Sequence, residues 1–249
     1  KNIVLIGDQM QLGQPSQGSH PDDSGQSILD YLLQGNSTVP VDMGVFLPLT
    51  YRLHPEICKL ISDQVYDGRL KPADTTKNHI VNIDPNDLNK NGGVLFVPVV
   101  HQGNSQGSEE EVEAIVDLAG KLIGKSYWRK DVDNQLMNID WNDILFVAPY
   151  NYQVNLLRSA LPEKARIGSV DKFQGQEAPI VIVSMCTSDP KESPRGLDFV
   201  FSKNRLNVAI SRGQAMSIVV GSPKLANAPV MTLRQMELVN FYSEIVRYS

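Results

Sequence analysis

Cysteine is scarce in this 249-residue sequence, with Cys58 and Cys186 far apart and each in an apolar setting. No disulfide framework is on offer, and such usage fits a reducing compartment, so a cytoplasmic protein is expected. Histidine is nearly as sparse. His20, His54, His79 and His101 are scattered, none at metal-ligand spacing, so no metal centre is predicted. No apolar run approaches the roughly 20 residues that cross a bilayer, and no secretory signal is visible, so no membrane partner is expected. An excess of positive charge is missing too. Lys and Arg total 23 against 28 Asp and Glu, a formal net charge of −5. Any contact with nucleic acid therefore has to come from a local patch. An initiating Met is also absent: the chain opens inside the apolar run Ile3–Ile6 and reads as a piece of something longer.

What is present is ordinary for a globular protein. Hydrophobic residues make up 41% and charged residues 20%, over a length that allows one large or two small domains. Ile180–Val183 is a β-branched run, the pattern of a strand buried on both faces. Further strands are predicted at Ile3–Ile6, Val45–Leu49, Val94–Val100, Ile144–Val147 and Ser217–Val220. Helices are predicted over Gln26–Leu33, from Pro55 to about Tyr66, and from Asn151 to about Leu161. Another opens on a capping box of Ser108 and Glu111 and runs to about Ile123. A helix around Arg205 and a last one from Thr232 to about Val246 complete the set. Gly13–Gly25, Asp67–Gly93, Trp128–Asn142 and Thr187–Phe201 read as polar connectors. Strands alternating with helices at this spacing predict an α/β fold with a mostly parallel sheet between two helical layers.

The chemistry concentrates between Ala165 and Cys186, which read as strand, polar turn, strand. Just before the buried run, Phe173 to Glu177 places two amides and a carboxylate around Gly175, a residue free to take positive φ. A polar loop beside a buried parallel strand is where α/β sheets keep their chemistry. A second block, Arg205 to Arg212, carries two arginines seven apart, which at helical pitch point the same way and ask for a polyanion such as phosphate. Ala119–Ser126 fits a relaxed phosphate-loop pattern, with Ala in place of the first Gly. It lies in the last turns of an amphipathic helix, though, where a phosphate loop needs a strand before it and a helix after it. Gly124 is better read as the residue that ends that helix.

Five blocks occur in a recognisable order: GDQMQL at Gly7–Leu12, YRLHP at Tyr51–Pro55, APYN at Ala148–Asn151, SVDKFQGQE at Ser169–Glu177 and LNVAISR at Leu206–Arg212. Together they resemble superfamily-one helicases, and most of all the nonsense-mediated-decay helicase branch. The resemblance covers nearly the whole chain. It implies a three-layer α/β/α RecA-like fold of the P-loop NTPase class, with residues 1–44 the remnant of a first RecA-like domain and 45–249 the second. It further implies an ATP-dependent motor that translocates on single-stranded DNA or RNA and unwinds duplexes. The phosphate-loop Lys and the acidic Mg2+-binding block that such an enzyme needs would lie before Lys1, leaving this piece inactive alone.

By the same resemblance, Gln11 would sense the γ-phosphate and Tyr51 would stack on adenine. Arg52 and Arg212 would hold the γ-phosphate as bidentate, permanently charged donors. Glu177 would accept from the ribose hydroxyls, with Gly175 letting the backbone approach the nucleotide. Tyr150, Asn151 and Ser169 would lie near the single strand, Ser169 standing where the family often carries Thr. His54 is read as structural despite its place inside a block. The expected partners are the single strand, the first RecA-like domain of the same polypeptide, and a RecB-like nuclease domain. The last of these rests on Met231–Asn240, which is similar to tails of bacterial helicases fused to such nucleases. A nucleic-acid-binding module that kept the fold without unwinding is the alternative.

Overall fold

Alternation along buried strands divides this molecule into layers. The computed structural model describes residues 3–13, 21–129, 135–191 and 193–248. The chain start at Lys1, His20 and parts of the polar connectors at 13–25, 128–142 and 187–201 fall outside them. In chain order the elements begin with α1 (Ile28–Leu33), β1 (Leu49–Thr50), α2 (Pro55–Val65), β2 (Lys71–Pro72), β3 (Gly93–Pro98) and α3 (Glu109–Leu122). Then come β4 (Ser126–Arg129), β5 (Gln135–Asn138), β6 (Ile144–Val147), α4 (Asn151–Ala160), β7 (Arg166–Gly168) and β8 (Ala178–Ser184). α5 (Gly196–Val200), α6 (Lys203–Ile210), β9 (Gly213–Gly221) and α7 (Leu233–Val246) follow.

Five strands form one sheet in the order β3-β9-β8-β6-β7, and every pairing in it is parallel. Along β8, Val181 and Val183 enter one core with Ile57, Ile61, Leu206 and Tyr242, which belong to α2, α6 and α7. Ile180 and Ile182 enter the other core with Ile115, Leu122, Val154 and Leu157 of α3 and α4. A two-residue period therefore serves two helical layers at once, which is why the strand reads as an unbroken apolar run. The three-layer α/β/α arrangement is the one expected.

Several local expectations change. Ile3–Ile6 is not a strand, and Ile3, Val4 and Ile6 are 83%, 82% and 95% exposed. An apolar run becomes a strand only where a ladder receives its N–H and C=O groups, and none does so here among the described residues. Val45–Leu47 likewise lies outside any strand, and the expected strand survives only as the two-residue ladder of Leu49–Thr50 with β2, where Pro48 O also accepts from Lys71 N at 2.6 Å. The stretch read as a connector at 128–142 instead contains the antiparallel pair β4–β5, preceded by Gly124 at φ 81, which does end α3. The connector after Thr187 holds the short α5. α6 stops at Ile210, so Arg212 lies beyond it and helical pitch does not align it with Arg205.

The capping box on α3 forms only in half. Ser108 Oγ accepts from Glu111 N at 3.2 Å, but Ser108 N donates to Gln153 Oε1 at 2.8 Å. The Glu111 carboxylate is fully buried and turned inwards, accepting from Ser184 Oγ at 2.6 Å and Cys186 N at 2.9 Å. Its other oxygen meets His101 Nε2 at 2.9 Å, and His101 Nδ1 meets Ser188 Oγ at 2.7 Å. This network holds Cys186 at φ 50, an uncommon backbone for a residue with a Cβ, at the end of the central strand.

Candidate functional site

Two edges of the sheet carry the candidate residues. Glu177 precedes β8 and Arg212 precedes β9, so both stand at the amino ends of their strands. That is the opposite edge from the one where open α/β sheets usually bind ligands. Tyr150, Asn151 and Ser169 follow β6 and β7, at the carboxyl ends.

At the amino edge, the short β1–β2 ladder ends in a turn that presents Tyr51 and Arg52. His54 N donates to Gln214 O at 2.8 Å and fastens this turn to the start of β9. Tyr51 is 71% exposed. Arg52 Nε makes an ion pair with Glu177 Oε2, while Gln214 Nε2 donates to Glu177 Oε1 at 2.9 Å. A cleft of about 670 Å³ opens over these groups, with Tyr51, Arg52, Glu177, Gln214, His79 and Trp128 among its lining residues. His79 Nδ1 lies 2.9 Å from Arg52 O. Gly175 has φ 79 and open space where a Cβ would sit, so the backbone turn, not crowding, requires glycine there.

Arg212 closes the back of the same region and is only 3% exposed. Its Nε donates to Val208 O at 3.1 Å, its Nη1 to Gln176 O at 3.3 Å and its Nη2 to Gln11 Oε1 at 3.4 Å. Three of the blocks read from the sequence thus meet on one guanidinium. Burial, and after it the neighbouring Arg52 charge, weakens the hold of Arg212 on its proton. Gln11 is fixed in turn by donating Nε2 to Asp8 Oδ2 at 2.8 Å, and Asp8 also accepts from Tyr66 OH at 2.7 Å. Asn204 Nδ2 donates to Gln11 O at 2.7 Å and Asn207 Nδ2 to Met10 O at 2.9 Å, docking segment 8–12 on α6. Burial, followed by the Asp8 carboxylate, pushes the Tyr66 hydroxyl far up, so it donates at any physiological pH. Arg205 takes no part in this cluster. It pairs with Asp171 at 2.9 Å and lies 4.7 Å over the Phe199 ring.

At the carboxyl edge, Asn151 is exposed at the first turn of α4 and Ser169 is half-buried just after β7. Tyr150 is 6% exposed, with its hydroxyl on Ser193 Oγ and its ring 5.2 Å from Phe199. Its side chain shapes that edge from beneath. Three cleft residues, His79, Gln214 and Trp128, were not singled out from the sequence. Gln214 follows Arg212 by two, so starting the last strand at Gly213 would have placed it. Trp128 was hidden by the connector reading of β4. Among the described residues, no group of three His, Cys, Asp or Glu side chains is placed to hold a metal ion, and no helix is long and apolar enough to cross a membrane.

Comparisons with known proteins give the chain a family. The AAA domain family matches residues 25–224. The DNA polymerase alpha-associated DNA helicase A of Schizosaccharomyces pombe is 29% identical over 232 residues, covering 88% of this chain and 33% of the relative. The regulator of nonsense transcripts 1 homolog of Drosophila melanogaster is 26% identical over 98% of this chain and 20% of its own length. The DNA-binding protein SMUBP-2 of Mesocricetus auratus is 27% identical over 90% of this chain and 22% of its own. The chain therefore spans a third or less of these relatives.

Proposed function

We propose, for a chain that belongs to the AAA domain family and within it to the superfamily-one helicases of the nonsense-mediated-decay branch, a role as a second motor domain. In this role it couples ATP hydrolysis to translocation on single-stranded DNA or RNA and to duplex unwinding. Residues 45–249 form that domain, and residues 1–44 belong to the first. The observation that supports this most is Arg212, a buried guanidinium held by two carbonyls and one side-chain amide oxygen. No carboxylate lies within ion-pair distance of it among the described residues. A buried cation without an anion is costly, and a phosphate supplied from outside would relieve that cost.

The residues present fit ATP. The cleft volume lies within the usual range for ligand sites, about 300–1,000 Å³. Tyr51 offers an exposed ring for the base, Glu177 a carboxylate for ribose hydroxyls, and Arg52 with Arg212 two planar cations for the phosphates. When bound with Mg2+, ATP supplies the phosphoanhydride whose cleavage does the work. Around it, Arg52 and Arg212 hold the terminal phosphate and stabilise charge that develops on it, a contribution worth about 10³–10⁵ in rate for such arginines. Gln11 reports on that phosphate because its amide oxygen already faces Arg212. The Mg2+ ligands and the phosphate-loop Lys are assigned to sequence before Lys1, so this chain alone is expected to turn over no ATP. The strand runs over the opposite edge, past Asn151 and Ser169.

The test is Arg212→Lys in the full-length protein. Lysine keeps the charge but loses the planar fork. ATP affinity and nucleotide-free strand affinity should hold, while turnover falls by about a hundredfold or more. Turnover within about threefold of wild type, under roughly 1 kcal/mol, would remove Arg212 from the reaction.

A further inference from the structure

Phe199 gathers the side chains of the carboxyl edge. The Tyr150 ring lies 5.2 Å from it, tilted by 48°. Arg205 lies 4.7 Å over the same ring and pairs with Asp171 at 2.9 Å. Arg195 lies closer still, 3.8 Å from the ring centroid. The placement follows from the topology. Arg195 and Phe199 stand in the connector that leaves the carboxyl end of β8, and α6 begins there before running back to the amino end of β9. Tyr150 directly precedes Asn151, and Asp171 follows Ser169 by two. Phe199 thus ties both residues read as strand contacts to one pair of arginines.

The two guanidiniums differ in what answers their charge. Arg205 has the Asp171 carboxylate and is half-buried. Arg195 is exposed, and among the described residues its guanidinium has the Phe199 face and neither a hydrogen-bond acceptor nor a carboxylate within pairing distance. A ring face attracts a cation but leaves the N–H groups around the guanidinium plane unused. Stacking also restricts the swing of a long side chain, so the fork is held ready at the edge.

We propose that Arg195 is a phosphodiester-binding residue of the single-strand site, presenting its planar fork to a backbone phosphate of a strand that passes Asn151 and Ser169. The inference rests on the strand reading of the carboxyl edge given above. A phosphodiester offers two anionic oxygens that suit a pair of parallel N–H donors. Such a contact carries no sequence information. It fixes the register of the backbone and leaves the bases free, as a motor stepping along any sequence requires. An acidic chain depends on such local cations, since its net charge of −5 repels a polyanion.

The full-length protein, without nucleotide, is titrated with a fluorescently labelled oligothymidine at several salt concentrations. Arg195→Gln should weaken binding about tenfold at low salt. It should also flatten the plot of log affinity against log salt by about 0.7, the share of one single-strand phosphate. Arg195→Lys should keep the slope, because the charge remains, and lose about threefold in affinity with the fork. Lys121→Gln removes a cation from the last turn of α3, in the other helical layer, and should leave the slope unchanged. An equal loss of slope in Lys121→Gln would show a diffuse field and not a contact, and would overturn the proposal. A loss of affinity in Arg195→Gln with the slope intact would mark a structural role and overturn it as well. If Asn151→Ala or Ser169→Ala weakens binding while Arg195→Gln changes neither quantity, the strand edge stands and the Arg195 inference fails. If none of these three substitutions weakens binding, the carboxyl edge does not hold the strand, and the reading and the inference fall together.

Discussion

Glu111 is the residue whose removal would disturb the most. Its carboxylate is wholly buried and is met by His101, Ser184 and the backbone of Cys186. Truncation would leave a buried imidazole nitrogen and an amide N–H without their carboxylate partner. Glu111→Ala should therefore lower the unfolding free energy by about 3 kcal/mol, measured by urea denaturation. Glu109→Ala, two residues away and exposed, should stay within about 0.5 kcal/mol of wild type. Equal effects at the two sites would dismiss the network as a source of stability. The sequence pattern Ser-x-x-Glu gave no hint of this, because a capping box and an inward-turned carboxylate share one spacing. Which way Glu111 turns depends on His101 and Ser184, which lie 10 and 73 residues away in the chain, beyond the reach of a local spacing.

At the scale of elements, α2 carries its own pH dependence. His54 caps it by accepting from Glu56 N through Nδ1 at 3.2 Å, which requires that nitrogen to be unprotonated. Burial lowers the His54 pKa below its ordinary value of 6.5, with the Glu56 carboxylate opposing the effect. The folded value lies below the unfolded one, so this contribution is present above pH 6.5 and is lost as pH falls through the folded pKa. Stability should drop by up to about 1 kcal/mol over that acid range, the worth of one cap. His54→Asn, which caps without titrating there, should flatten this part of the profile. An unchanged profile in thermal melts of the variant would assign the acid loss to other groups. The helices and buried parallel strands were largely legible because period and β-branching survive in the sequence. Ile3–Ile6 and Val45–Leu47 were not, since apolar composition says nothing about whether a ladder partner exists. The antiparallel pair Ser126–Arg129 and Gln135–Asn138 was missed because its half-polar strands look like connector until they pair. In the cleft, Tyr51, Arg52 and Glu177 were found through motif order, whereas Trp128 and Gln214 enter only through the sheet register.

Across the whole molecule, an acidic chain with net charge −5 carries candidate residues at both edges of one sheet. Strand affinity of this chain should be weak and steeply salt-dependent, with log affinity falling by about 0.7 per decade of salt for each neutralised phosphate. Fluorescence titrations of a labelled single strand between low and moderate salt will show it. Tight binding that ignores salt would mean that an apolar surface, and not the carboxyl edge, holds the strand. At the other edge, the Arg52–Glu177 pair joins two side chains that are 37% and 42% exposed. Such a pair is worth at most about 1 kcal/mol. In populations, that leaves at least about one molecule in six with the pair already parted at any moment. A ligand needing both groups then loses no more than about sixfold in apparent affinity to this resting state. Arg52 and Glu177 face each other across the cleft, and a pairing this weak is undone at small cost by a ligand that needs both.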